Sequence, residues 1–182
     1  MGGAARYPRR DWSVSEVVIR PGRASDLPFL ATIEASGAET FTVYGRELAD
    51  GSPPAPDDQW ADALRDGLLW IADDAEEGPI GFLSGEHVPT GLYVAEVDVL
   101  MARQKQGHGR RLMQAAIDWA KAAGVGAVTL TTFRDIPFNG PFYASLGFVE
   151  LSEAEMPAHL AETFAKERAA GFEDRCGMRL AL

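Results

Sequence analysis

Val97-Asp98-Val99-Leu100-Met101-Ala102-Arg103-Gln104-Lys105-Gln106-Gly107-His108-Gly109-Arg110-Arg111-Leu112 joins a strand to a helix through a glycine turn. The strand, Leu92 to Leu100, is largely apolar. The helix runs to Ala123, with Leu112, Ala116 and Trp119 on one stripe and Gly124 as its stop. A helix N-terminus leaves backbone N–H groups unpaired and carries partial positive charge, which suits a phosphate. Gly107 and Gly109 would let such a group approach the backbone, and Arg110 or Arg111 would add charge. Other glycine-loop readings fail. The G-x-x-x-x-G-K-[ST] pattern of a P-loop is absent, and a dinucleotide fingerprint needs a third glycine where Leu112 stands. The plain alternative is a loop that only turns a corner.

Upstream, Glu16 to Arg20 reads as a strand, and Ser25 as the N-cap of a helix through Ser36, with Phe29 and Ile33 one turn apart. Phe41 to Leu48 suggests a second helix, Gly51 to Pro56 a loop, and Asp57 to Asp66 a short helix closed by Gly67. Leu68 to Ala72 and Pro79 to Glu86 flank the acidic turn Asp73 to Gly78 as a hairpin. Downstream come a strand at Ala127 to Phe133, a short helix at Phe138 to Leu146 ended by Gly147, and a strand at Phe148 to Leu151. A helix from about Pro157 to Ala170 and a last strand, Arg175 to Leu182, complete the chain. A meander of antiparallel strands followed by crossovers predicts an α+β fold, a mixed sheet flanked by helices.

A balance of 46% hydrophobic and 24% charged residues over 182 positions is that of a globular protein with a core of its own. The net charge of -10 argues against a nucleic-acid partner, because acidic chains repel phosphate backbones. Cys176 is the only cysteine, which excludes an internal disulfide and agrees with a cytoplasmic location. His87, His108 and His159 lack metal-ligand spacing, so no metal is expected. No apolar run approaches a membrane span, and residues 1–12 lack the apolar core of a signal peptide. Residues 1–12 read as a tail and 13–182 as one domain.

Gln104-x-x-Gly107-x-Gly109 resembles the Q/R-x-x-G-x-G/A signature of the GNAT acetyltransferase superfamily. Asn139-Gly140-Pro141-Phe142-Tyr143-Ala144-Ser145-Leu146-Gly147-Phe148 resembles the family's second signature, in which Asn, Tyr and a terminal Gly-Phe recur. The resemblance covers roughly Val17 to Leu151 and is similar in detail to a small bacterial subgroup of unassigned substrate. Met101 and Arg103 depart from a common proline and a common aromatic. The resemblance implies acetyl-CoA as co-substrate, held where the strands at 92–100 and 127–133 splay apart, and direct transfer to an amine. It implies that the backbone of Val97, Asp98 and Val99 runs beside pantetheine. Gln104, Lys105, Gln106, Gly107, His108, Gly109 and Arg110 would cradle the pyrophosphate. Asn139 would hydrogen-bond the pantetheine arm, and Tyr143 would stand near the sulfur.

Tyr143 could protonate the leaving thiolate; the alternative is a core tyrosine whose hydroxyl bonds to backbone. Glu96 is the candidate general base. Strict alternation places Val94, Glu96 and Asp98 on one face of the strand and Tyr93, Ala95, Val97 and Val99 on the other, and a bulge would change that. Two carboxylates in a central strand are costly unless they meet a cleft or a partner cation. Glu34, Phe41, Tyr44 and Phe133 are acceptor-site candidates, with ordinary packing as the alternative. A small-molecule amine is the expected acceptor. A protein or peptide amine, or a non-catalytic acyl-CoA-binding domain on the same fold, are the rival readings. A homodimer, common in the family, is compatible with the sequence.

Overall fold

A computed structural model describes residues 16–42, 44–45 and 59–182. Its centre is a seven-stranded sheet: β1 (Val17–Pro21), β2 (Leu69–Asp74), β3 (Gly78–Val88), β4 (Gly91–Val99), β5 (Ala127–Phe133), β6 (Val149–Leu151) and β7 (Arg175–Ala181). The spatial order is β1-β2-β3-β4-β5-β7-β6. Every neighbouring pair is antiparallel except β4 and β5, which are parallel because α3 (His108–Ala122) crosses between them. The expected α+β mixed sheet is therefore present, including its single parallel pair. That pair has two registered positions, Leu92 with Val128 and Tyr93 with Thr129, and beyond Tyr93 the strands part.

The helices divide between the faces. On one face α3 buries Leu112, Met113, Ala116, Ile117 and Ala120 against Val17, Trp70, Leu83, Leu92 and Val94. The short α4 (Gly140–Ala144) adds Tyr143 to this core. On the opposite face α1 (Leu27–Thr42) and α2 (Ala61–Arg65) pack Leu30, Ile33 and Ala63 around Trp60, Leu69, Ile71 and Phe82. The same face receives α5 (Ala158–Ala169), whose His159 accompanies Tyr93 and Thr129. Each fully buried Leu or Ile stabilises the fold by roughly 1.5–3 kcal/mol, so the two cores together clamp the sheet. None of the described helices is long and apolar enough to cross a membrane.

Three boundaries differ from the sequence expectation. Ser25 does not cap the first helix: it lies in a 3-10 turn, Ala24–Asp26, where the Asp26 carboxylate accepts the Arg23 backbone N–H at 2.7 Å. Arg20 fixes that carboxylate at 2.7 Å and 2.8 Å and also reaches Asp73 on β2 at 2.6 Å. Phe41 does not start a new helix, because α1 continues through Gly37 to Thr42. Gly37 is there for space, since a Cβ at this position would lie 2.1 Å from Asp98 Oδ1. The helix expected over Phe138 to Leu146 shortens to Gly140–Ala144. The rest of Phe41 to Leu48, the loop Gly51 to Pro56, the start of Asp57 to Asp66 and the tail 1–12 lie outside the described residues.

The start of β4 is held against β5 by a backbone contact that only glycine permits. Gly91 has φ +142, and a Cβ on it would meet the Ala127 carbonyl oxygen at 2.1 Å. Gly91→Ala should therefore cost about 2–4 kcal/mol, from backbone strain plus overpacking. Gly109, with nothing within 4 Å of a Cβ, should accept alanine within about 1 kcal/mol. Urea titration of both variants checks the contrast.

Candidate functional site

Beyond Tyr93 the β5-facing side of β4 has no neighbouring strand, and a cleft of about 1350 Å³ opens there. Buried backbone groups normally find partners, so an unpaired strand edge inside a fold suits a ligand that carries amides of its own. The pairing of β3 with β4 slips by one residue between Ser84 and Gly85, which makes Ala95 an extra residue on β4. This bulge corrects the alternation expected from sequence. Val94 joins Leu92 and Val99 in the α3-side core. Glu96 turns instead to the α1–α2 side, where its Oε2 accepts the Trp60 indole N–H at 2.8 Å. Asp98 lies on the same side as Glu96, against Gly37 of α1.

Glu96 and Asp98 hydrogen-bond to each other and form one acid pair. Both are pushed well above the ordinary carboxylate range. Desolvation is the main cause for each, reinforced at Glu96 by the Asp98 charge and at both by Glu34. Trp60 braces the pair through its bond to Glu96. Glu34, on α1, is also raised by burial, with Gln59 Nε2 at 3.5 Å from its Oε2 as a weak partner.

Tyr143 lies across the cleft from α1. Its ring packs on Phe142 and Phe148 at 5.1 Å and 5.9 Å, yet no described group bonds its hydroxyl. Burial, and after it the charge of Asp98, push its ionisation upward, so the O–H keeps its proton. Asn139 precedes α4, and its buried Oδ1 has no partner among the described residues. Gly140 lets this turn pack tightly, since a Cβ there would sit 2.3 Å from the Arg134 carbonyl oxygen.

At the other end, α3 begins at His108 with no side chain capping it. Lys105 and Gly107 take left-handed conformations, φ 60 and φ 87, which fold the turn back toward the cleft. A Cβ at Gly107 or Gly109 would meet nothing within 4 Å, so the backbone of the turn borders open space. Several side chains read as ligands are occupied elsewhere. Gln104 Nε2 donates to the Val99 carbonyl at 3.1 Å and to Thr40 Oγ1 at 3.0 Å, tying the turn to β4 and α1. Arg110 donates to Ser145 Oγ at 2.6 Å and lies over the Phe142 ring. Arg111 turns away to the Val17 carbonyl at 2.7 Å. Arg103, at a position where an aromatic was expected, pairs with Asp74 at 2.7 Å and Glu77 at 2.9 Å. His108 is buried with Nδ1 unpartnered, and burial lowers its pKa.

Of the residues expected at the site, Val97, Asp98, Val99, Glu96, Gln104, Lys105, Gly107 to Arg110, Asn139 and Tyr143 all line the cleft. Gln106 does not; it is exposed beside His108. Among the acceptor candidates, Glu34 and Phe41 line it, while Tyr44 packs outside it on Phe138 at 5.5 Å. Phe133 is buried behind Phe41 and borders a side pocket of about 220 Å³ with Phe172. Sequence reasoning missed Trp60 as the brace of Glu96, and Asp98 as an acid in its own right. Only the spacing of two carboxylates on β4 hinted at the latter.

The residues present fit acetyl-CoA: an open strand edge for an amide-bearing arm, an orphan buried amide oxygen beside it, and an uncapped helix start with two glycines for phosphate. Comparison with known proteins agrees. The structure is similar to N-acetylglutamate synthase from Neisseria gonorrhoeae complexed with coenzyme A and N-acetyl-glutamate, with a TM-score of 0.66 and 19% identity over 92% of this chain. This chain spans 35% of that one. It also resembles Rv2747 from Mycobacterium tuberculosis in complex with CoA, with a TM-score of 0.65 and 16% identity. That match covers 91% of this chain and 99% of that one. The ribosomal-protein-S18-alanine N-acetyltransferase from Escherichia coli superposes with a TM-score of 0.63 at 20% identity, covering 91% and 94%. At such identities these likenesses speak for the fold. The acetyltransferase (GNAT) family model matches residues 37–148, more than half of the chain and the whole of both glycine motifs, and the chain belongs to that family.

Proposed function

We propose that this acetyltransferase moves the acetyl group of acetyl-CoA directly to a primary amine of a small molecule. The observation that carries the reading is the acid pair Glu96–Asp98 facing the same cleft as a tyrosine whose hydroxyl has no partner among the described residues. Transfer forms a C–N bond to the acceptor nitrogen, breaks the C–S bond of the thioester, and takes two protons from the ammonium nitrogen, one ending on the thiol and one released. Acetyl-CoA supplies the activated acyl group; the chain orients it and moves the protons.

Backbone groups of Val97 to Val99 hold the amide arm as an added strand would, and one N–H there steadies the carbonyl oxygen as negative charge develops. Asn139 Oδ1 accepts from the arm, and the first turn of α3 takes the pyrophosphate through its N–H groups. The singly protonated acid pair takes a proton from the entering ammonium, which frees the nitrogen lone pair. Burial makes the pair basic enough for this near neutral pH, where an exposed carboxylate would be too weak a base. Tyr143 donates its proton to the departing sulfur and is reprotonated by the second proton that the nitrogen loses as the amide forms. The lone Cys176 is buried, with its thiol pushed up to about 11 by desolvation, and fits a reducing cytoplasm.

Three outcomes test the assignment. Acetyl-CoA and desulfo-CoA should raise the melting temperature alike and pantetheine far less, and Gly109→Val should lose that shift while staying folded. Tyr143→Phe should lower kcat by roughly 10²–10⁴ with acetyl-CoA affinity nearly intact. A structural tyrosine would instead lose stability and keep its turnover.

The third outcome follows from linkage. The folded pair keeps a proton that the unfolded chain releases at an ordinary carboxylate pKa of about 4. The native state therefore binds more protons, and stability falls as pH rises from there through the raised values, by at most about 1.4 kcal/mol per pH unit for one retained proton. Asp98→Asn should flatten this slope in melting temperature against pH and should slow turnover. An unchanged slope would remove the shared proton from the account.

A further inference from the structure

We infer that the preferred acceptor is a short dicationic alkylamine, with its reacting nitrogen at the Glu96–Asp98 pair and a second ammonium at Glu34. The inference rests on the acetyltransferase reading above and specifies its acceptor. The geometry comes from α1. Glu34, Gly37, Ala38 and Phe41 form a stripe at helical spacing, and all four line the cleft. Gly37 abuts Asp98, and Glu34 lies three residues before it on α1, so its backbone stands roughly 4.5 Å along the cleft wall from that contact. That interval is close to the separation of two nitrogens across three or four methylenes. The three carboxylates do not converge as the ligands of a single metal ion would.

Charge accounting decides what the second position takes. Once the ammonium has given its proton to the acid pair, the pair is satisfied, but Glu34 remains a partly desolvated carboxylate with only Gln59 at 3.5 Å. The lining cations do not neutralise it. Arg65 pairs with Asp62 at 2.6 Å, Arg103 with Asp74 and Arg175 with Glu167, while Lys105 and Arg110 belong to the turn before α3. A carboxylate on the acceptor at this distance would face Glu34 as a like charge, which is costly in a partly dry site. An uncharged alkyl end would leave Glu34 unpaired. A second ammonium satisfies it, and Trp60 and Phe41, which also line the cleft, offer apolar surface to its methylenes.

The test uses three acceptors of equal length that differ only at the far end: 1,4-diaminobutane, butylamine and 4-aminobutanoate. Thiol release with acetyl-CoA should give kcat/KM in that order, with at least tenfold between the diamine and the monoamine and a further loss for the amino acid. Glu34→Gln should bring the diamine and monoamine within about twofold of each other. In a second readout, 1,4-diaminobutane should raise the melting temperature of the desulfo-CoA complex, while 4-aminobutanoate should not. Equal rates, preference for the amino acid, or an undiminished diamine advantage in folded Glu34→Gln would overturn the inference. If none of the three is acetylated by protein that binds acetyl-CoA, the dicationic acceptor is wrong and the acetyltransferase reading stands. Failure to bind acetyl-CoA would remove both.

Discussion

Two positions of parallel pairing, Leu92 with Val128 and Tyr93 with Thr129, join the sheet across its middle, and the cleft exists because the pairing stops there. On one side lie β1 to β4, on the other β5, β7 and β6. A parallel ladder continued to Val99 would bury the edge of β4 and leave no room for a ligand. Gly91 brings the two backbones close enough for the first rungs. The bulge at Ala95 then adds twist to β4 just where the strands separate. An exposed strand edge is a liability in most proteins. Here it lies within a cleft, where a ligand's amides can pair with it.

The same bulge decides the chemistry. Without it Glu96 and Asp98 would share a face with Val94 and sink into the apolar core under α3, where two carboxylates could not be accommodated. With it they meet Trp60, Gly37 and the cleft. Their ionisation is then set by partial dehydration and by each other, which raises both above the ordinary carboxylate range. Tyr143 is shifted in the same upward direction by burial, but to the opposite effect: it stays a proton donor.

The turn before α3 shows how a motif can be right in place and different in detail. Gln104, Arg110 and Arg111 look in sequence like phosphate ligands. In the fold Gln104, Arg103 and Arg110 spend their hydrogen bonds on Val99, Asp74 and Ser145, which makes the turn rigid and ties it to β4, β2 and α4. What the turn leaves unpaired toward the cleft is the uncapped start of α3, whose geometry does not depend on a flexible side chain.

Local patterns along the chain determined the order of strands and helices, the amphipathic face of α3, and both glycine motifs, because turns, caps and helical periodicity are properties of neighbouring residues. They also placed Tyr143, Asn139 and Gly107 to Gly109 at one site through a resemblance in spacing. Other features depended on residues far apart in sequence. The continuation of α1 through Gly37 answers to Asp98, which lies 61 positions on. In place of Ser25, Asp26 reaches back to the Arg23 N–H and is held there by Arg20, which is itself paired with Asp73. Trp60 finds Glu96 across 36 positions. The face presented by Glu96 and Asp98 turned on one extra residue in the pairing with β3, and register is fixed by packing between strands and not by either strand alone. Tertiary structure alone thus decided which acids lie together and which cations are already paired, since both depend on burial and on partners brought together only by the fold.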